Sequence, residues 1–453
     1  MKKHYLQLIA TAGLLLCLSC ESMIAIEDSK TLMSRDRVLA SDSAANALVS
    51  NIYVQIAGVG GLEANLVPYN ALYTDEALPS PNNQSVIDYY NNAFTADHIG
   101  FVNVWGKCYR AIYMANELLE GLPGAMGISA SARQQLLGEA YFLRAFSYFY
   151  LTQLFGDVPL VLVTDLDISA GLPRSSAEAV FRQMANDLAA SRELLSVSYP
   201  GYLRTRANRH TATAMLARIY LYRQQWAEAE AAASEVIDSD MYTPLSSPEL
   251  TFRRGSTEAI LQAHQVQGYV NYAASFVPAA GIPSYIISPD LLEAFDEADL
   301  RKREWIGAIQ VAGVDYPYFN KYRNRVTASG IGAEDAMLLR VAEQYLIRAE
   351  ARAMQDKLAL AVDDLNSLRQ RAGIAPLEDL GKEELLSAIV EERQRELFAE
   401  WGHRFFDLKR WGIVDEVLGV NKHNWSQEAM LYPIPKSEME KNPALTPNAS
   451  NTY

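Results

Sequence analysis

TATAMLARIYLYRQQWAEAEAAASEVI, Thr211 to Ile237, is the stretch whose reading decides the fold. Leu216, Ala217, Tyr220 and Ala229 recur there at helical spacing. They describe two antiparallel helices. The alanines let the pair approach closely, and Leu and Tyr fill the groove between them.

Part of this spacing returns in VAEQYLIRAEARAMQDKLALAVDDLNSLRQRAG (Val341–Gly373), at Ala349, Ala361, Leu365 and Leu368. Ala145 and Tyr148 echo its first half. The pattern is that of tetratricopeptide units, which stack helical hairpins. Other amphipathic helices are expected at Ser43–Ile56, Phe101–Leu122 and Ser175–Leu195. A long one is expected at Ser131–Gly156, closed by Gly156 and Pro159. No βαβ alternation is visible, so the expected class is mainly α, with long irregular loops and few short strands.

Three stretches lack periodicity: Gly58–Ala96, Gln265–Ser288 and Gly313–Gly330. They are rich in Gly, Asn, Pro and Tyr, and are expected to be irregular functional loops. A tyrosine ring stacks on the C–H face of a sugar, while Asn, Gln and Asp bond its hydroxyls. The ligand-binding candidates are therefore Tyr69, Tyr73, Asp75, Tyr89, Tyr90, Tyr272, Tyr285, Tyr316 and Tyr318.

The run EERQRELFAEWGHRFFDLKRWG, Glu391–Gly412, mixes acids, arginines and aromatics. Val390, Leu397, Trp401, Phe405 and Leu408 form one helical stripe, with a bend allowed at Gly402. Arg393, Arg404 and Arg410 are expected to neutralise its acids, and Asp407 to pair with an arginine. Carboxylates so placed stay ionised, so the run reads as scaffold rather than as an acid/base pair. A surface glycoside hydrolase remains the enzymatic alternative, with Asp75/Glu76 or Glu334/Asp335 as its acids. A purely structural tetratricopeptide adaptor is the other. The six histidines make no HxxxH or Cys/His pattern, and there is no nucleophile elbow or phosphate loop. No catalytic residue, metal site or cofactor is expected, beyond a weak case for a structural calcium at TDEALPSPNN, 74–83.

The amino terminus, MKKHYLQLIATAGLLLCLSC, has the two lysines and short apolar run of a secretory signal, 1–19. Cys20 follows a small residue, as the lipid-anchored cysteine of a bacterial lipoprotein does. Cys108 is then a lone thiol on a helical pattern, expected to be buried and inert. The net charge of −14 argues against nucleic acid and anionic membrane surfaces as partners.

Five segments, in this order, resemble the SusD/RagB family of outer-membrane lipoproteins. They are GEAYFLRAFSYFYLTQLFGDVPLV (138–161), SPDLLEAFDEADLRKREW (288–305), LLRVAEQYLIRAEARA (338–353), ERQRELFAEWGHRFFDLKRWG (392–412) and YPIPKSEMEKNPALTPN (432–448). The resemblance implies one SusD-like domain over 20–453, with a helical half (20–240) and a half carrying ligand-face loops and closing helices (241–453). It also implies a surface-exposed, lipid-anchored position on the outer membrane. The ligand would be an oligosaccharide or a peptide, bound without catalysis. The partner would be a SusC-like TonB-dependent barrel that the protein caps. The family motifs assign no ligand residue.

Overall fold

The computed structural model describes residues 39–448 except 82, 94, 202 and 423. The signal stretch and Cys20 lie outside the described residues. The chain opens with α1 (Asp42–Ala57), α2 (Leu62–Tyr73), β1 (Ala77–Pro79) and α3 (Gln84–Tyr90). A run of helices follows: α4 (Ile99–Gly121), α5 (Ala130–Phe155), α6 (Ala177–Leu194), α7 (Arg209–Tyr222) and α8 (Trp226–Ile237). Each packs on the one before it. The second half brings β2 (Ala259–Ala263), β3 (Tyr285–Ile287), α9 (Pro289–Glu293), α10 (Leu300–Trp305), β4 (Ile306–Val311), β5 (Val314–Phe319) and β6 (Ala336–Arg340). It closes with α11 (Val341–Met354), α12 (Leu358–Ala372), α13 (Lys382–Leu397), α14 (His403–Trp411) and α15 (Val414–Asn421). α11 docks on α8, and α12 and α13 dock on α11, so the helical stack runs on through both halves. The strands form three antiparallel pairs, β1–β3, β2–β6 and β4–β5. The architecture is mainly α, as the periodicity predicts.

α5 is the axis of the stack. Ser129 caps its start by accepting from the Ala132 N–H at 3.3 Å, and Gly156, at φ +73°, closes it. Most of its residues are buried, including Ala145 and Tyr148. The Tyr148 hydroxyl donates to the Val161 carbonyl at 2.9 Å.

The expected repeat is present in detail. Ala217, Leu221, Ala229 and Ala233 of α7–α8 pack as one buried cluster with Ile347 and Ala351 of α11. Ala349, Ala353, Ala361, Leu365 and Leu368 build the corresponding layer of α11–α12. The two hairpins also turn alike. Gln224 and Asp356 stand at φ +57° and +60°, and the next N–H reaches back to the Tyr220 and Arg352 carbonyls, at 2.9 Å each.

All three expectations of irregular chain are corrected, Gln265–Ser288 by a short helix at Ala273–Phe276 and by β3. Gly58–Ala96 holds α2, β1 and α3. α2 escapes periodicity because it is buried nearly all round, with no polar face, and because Pro68 lies inside it. Gly313–Gly330 begins with β5, paired to β4 through Ala312 and Gly313 at φ +52° and +83°. Pro317 argues against a strand in the sequence, yet an edge strand tolerates it.

The Glu391–Gly412 run is scaffold, with its break placed earlier than Gly402. α13 stops at Leu397, and Ala399, Trp401 and Gly402 take φ of +51°, +45° and +74° before α14 begins. Left-handed backbone at a tryptophan is costly and persists only where its surroundings hold it. The Trp401 indole N–H donates to the Met337 carbonyl at 2.7 Å, and its ring packs on Phe146 and Tyr150.

The cations that neutralise this run come mostly from elsewhere in the chain. Glu396 accepts from Arg340 at 2.5 Å, from Arg301 at 2.8 Å and from Arg371. Glu392 takes Arg301 at 2.6 Å, and Glu400 takes Lys321 at 2.5 Å and Arg340 at 2.9 Å. Glu258 joins Arg340 and Arg371. Burial alone would raise the Glu396 carboxyl, but the guanidiniums of Arg371, Arg340 and Arg301 outweigh it and hold it well below the usual range. Of the arginines expected for the run, Arg393 and Arg410 donate to Asp407, at 2.7 and 2.8 Å, which meets the expectation that this acid pairs with an arginine, while Arg404 leaves the run to grip Asp75.

Candidate ligand-binding face

The nine candidate residues divide by burial. Tyr73 and Tyr89 belong to the core, at 0% and 1% exposure. Tyr73 donates to the Ala429 carbonyl at 2.6 Å, and Tyr89 to the Tyr432 hydroxyl at 2.7 Å. Tyr272 is buried against Phe276 and Tyr322. Asp75 is buried and accepts both N–H groups of the Arg404 fork, at 2.9 and 2.6 Å. The expectation of a ligand platform is corrected for these four. Their rings and carboxylate are covered by protein, and their polar ends are engaged inside it.

The others reach the surface to different degrees. Tyr69 on α2 and Tyr90 at the end of α3 are half-buried, whereas Tyr285 on β3 is buried at 8% exposure, so the platform expectation is corrected for it as well. Tyr316 and Tyr318 on β5 are half-buried. The Tyr69 ring lies 4.7 Å from that of buried Tyr89 and edge-on to His98 at 5.8 Å, so it is backed from beneath. Burial raises the Tyr285 hydroxyl, and nearby Tyr69 adds to the rise. Lys422 Nζ sits 3.4 Å from the Tyr90 ring centroid while donating to the Leu72 carbonyl.

β3 links these residues to the hairpin. It pairs with β1, setting Tyr285 opposite Pro79, and β5 packs along it. Within the hairpin Tyr318 stands opposite Gly307 and Tyr316 opposite Ile309. A Cβ on Gly307 would fall 2.2 Å from the Tyr318 ring, so the phenol lies across the glycine. A ring laid flat on a strand shows its other face outward. Gly307 is the residue that sequence reasoning missed. Its only signal was the short VAGV link between two runs of strand-like residues.

The carboxylates proposed for hydrolysis are engaged by the chain, apart from one oxygen of Glu76. Glu334 accepts from Arg253 at 2.9 Å and from the Arg323 and Asn324 N–H groups. Asp335 accepts from both nitrogens of Arg254 at 2.9 Å and from the Gln265 N–H. Glu76 is buried, with Oε2 taking the Ala399 N–H at 3.2 Å and Oε1 unpaired among the described residues. Burial, then neighbouring Asp75, pushes its carboxyl up to about 8. Cys108 is buried, which raises its thiol out of the reactive range. Among the described residues no group of three or more His, Cys, Asp or Glu could hold a metal ion, and no helix is long and apolar enough to cross a membrane.

This mainly α stack of hairpins has the fold of the SusD superfamily. A SusD superfamily protein from Bacteroides vulgatus superposes with a TM-score of 0.80 at 20% identity, covering 91% of this chain and 99% of the other. A laminarin-binding SusD-like protein superposes at 0.75 with 22% identity, covering 90% and 99%. Two SusD-like proteins of Formosa agariphila, P38 and P25, are each 25% identical to this chain. The first match covers 83% of this chain and 84% of the relative, the second 95% of each. The family model described as "Starch-binding associating with outer membrane" matches residues 27–221, and the SusD family model matches 304–451. The chain belongs to the SusD/RagB family.

Proposed function

We propose that the protein is a non-catalytic outer-membrane lipoprotein that binds an oligosaccharide on its tyrosine face. In this reading it serves as the lid of a SusC-like TonB-dependent barrel, anchored and surface-exposed through Cys20. The observation that carries it is the Tyr318 ring laid across Gly307, on the same strand as half-buried Tyr316. Such rings offer apolar faces already fixed in place, so little conformational entropy is lost when a sugar stacks on them. The match to a starch-binding family model and the laminarin-binding neighbour support a glycan over a peptide.

Calorimetry on the Cys20→Ser chain, which lacks only the lipid acceptor, tests the binding. A panel of soluble β- and α-glucan oligosaccharides should give saturable heats, and a pool of peptides none. Silence with every glycan would remove the reading. Mass spectrometry of the wild-type protein should show a diacylglyceryl adduct on Cys20, and co-purification should recover a barrel partner.

A further inference from the structure

A groove of about 710 Å³ opens among the helices, away from any platform tyrosine. It lies where α7 passes into α8 and faces the ends of α11 and α14 and the middle of α13. Its volume falls in the ~300–1,000 Å³ range of small-molecule sites. Trp226 and Trp411, both half-buried, form aromatic walls, and Leu386 and Ile389 add apolar surface.

The charges at its floor are closed on one another. Glu350 is buried and accepts both terminal nitrogens of Arg410 and, at 3.1 Å, the Trp411 indole N–H. The Arg410 guanidinium lies between the Trp411 and Tyr222 rings, 4.5 and 5.4 Å from their centroids. Its Nε donates to Asp407 at 2.8 Å. At the rim, Glu391 faces Arg395 at 3.4 Å. No lone charge is left to attract an ion. The walls are helices, whose backbone groups serve their own ladders, so an extended peptide finds no strand edge to join. What the groove presents is indole surface held rigid by the Glu350–Arg410 pair, with exposed Gln224, Ser387 and Glu391 around its mouth. A ligand that matches is neutral, with an apolar face and a rim of hydroxyls.

We propose that this groove is a second saccharide site, independent of the tyrosine face. Tryptophan fluorescence of the Cys20→Ser chain is a suitable readout. Trp105, Trp305 and Trp401 are buried, so changes on binding report chiefly on Trp226, Trp411 and half-buried Trp425. Titration with laminari-, malto-, cello- and manno-oligosaccharides should give a saturable change with at least one series. Trp226→Ala should weaken that binding about tenfold, as loss of one aromatic contact does. Ser387→Trp, which fills the mouth from an exposed position, should abolish it, while Tyr318→Ala leaves it intact. Melting curves would show that the variants fold. The proposal is overturned if no series gives a change that depends on Trp226. It is equally overturned if Ser387→Trp binds normally, or if only a casein peptide digest produces the Trp226-dependent signal. Calorimetric binding lost in Tyr318→Ala but kept in Trp226→Ala would sink this site and leave the tyrosine face standing.

Discussion

Two regions of this protein are dense in the residue types usually taken for function, and they use them in opposite ways. Around Glu396 the charges are buried and closed: three arginines converge on one carboxylate, and a lysine and further acids complete the set. On the β3–β5 face the aromatic rings are half-covered, and one of them lies across a glycine. In the first region each carboxylate is met by cations from the chain, so the chemistry is consumed by the fold. In the second, Tyr316 and Tyr318 stay half-exposed. Function is to be sought in what the structure leaves uncovered, rather than in the most concentrated charges.

The largest expected effect comes from breaking the closed region. Glu396→Ala removes the carboxylate shared by Arg340, Arg371 and Arg301 and leaves excess positive charge in the interior, and loss of one partner from a buried ion network costs about 3–5 kcal/mol. Urea unfolding should show it as a strong fall in midpoint. A change below about 1 kcal/mol would mean that water already reaches these groups, and the contrast between the regions would fail.

Glu76 gives a test by pH. Its folded carboxyl is raised to about 8 from 4.5, so the folded state holds a proton that the unfolded chain releases. Its contribution is fully present below about 4.5 and is lost as pH rises through 8, on the order of 1 kcal/mol per unit across that window. Glu76→Gln should therefore match wild type near pH 5 and exceed its stability near pH 8. Parallel stability curves for the two proteins would place water or a cation beside Oε1. Smaller still is the expected effect of Tyr318→Ala: stability within about 0.5 kcal/mol of wild type, with glycan affinity on the tyrosine face down about tenfold.

How much of this could be read from the sequence follows from the range of each interaction. Ala217, Ala229, Ala349 and Ala361 were legible because helical packing repeats locally. Gln224 was not, since glutamine does not announce a left-handed turn, and Asp356 gave only the mild preference of aspartate for one. The partners of Glu392 and Glu396 were misassigned because Arg301 and Arg340 lie far away in the chain, whereas Arg393 and Arg410 lie near. The tyrosines were recognised as a class, but Tyr73 and Tyr318 look alike in composition. Only the packing of α2 buries the first, and only the β4–β5 register leaves the second on Gly307.

That register supplies the finest test of the contrast. Gly307→Ala keeps every tyrosine and adds one methyl group, in a strand whose backbone accepts alanine. The new Cβ would lie 2.2 to 2.5 Å from the Tyr318 ring, so the phenol must lift or swing aside. Because Tyr318 is half-exposed, it can move without opening the core, and the stability change should stay below about 1 kcal/mol. If the fixed ring is what receives a sugar, affinity on this face should fall several-fold while the groove at Trp226 binds as before. If affinity is unchanged, the ring's orientation is irrelevant, and the open region owes its binding to the presence of tyrosine alone rather than to the glycine that lays it flat.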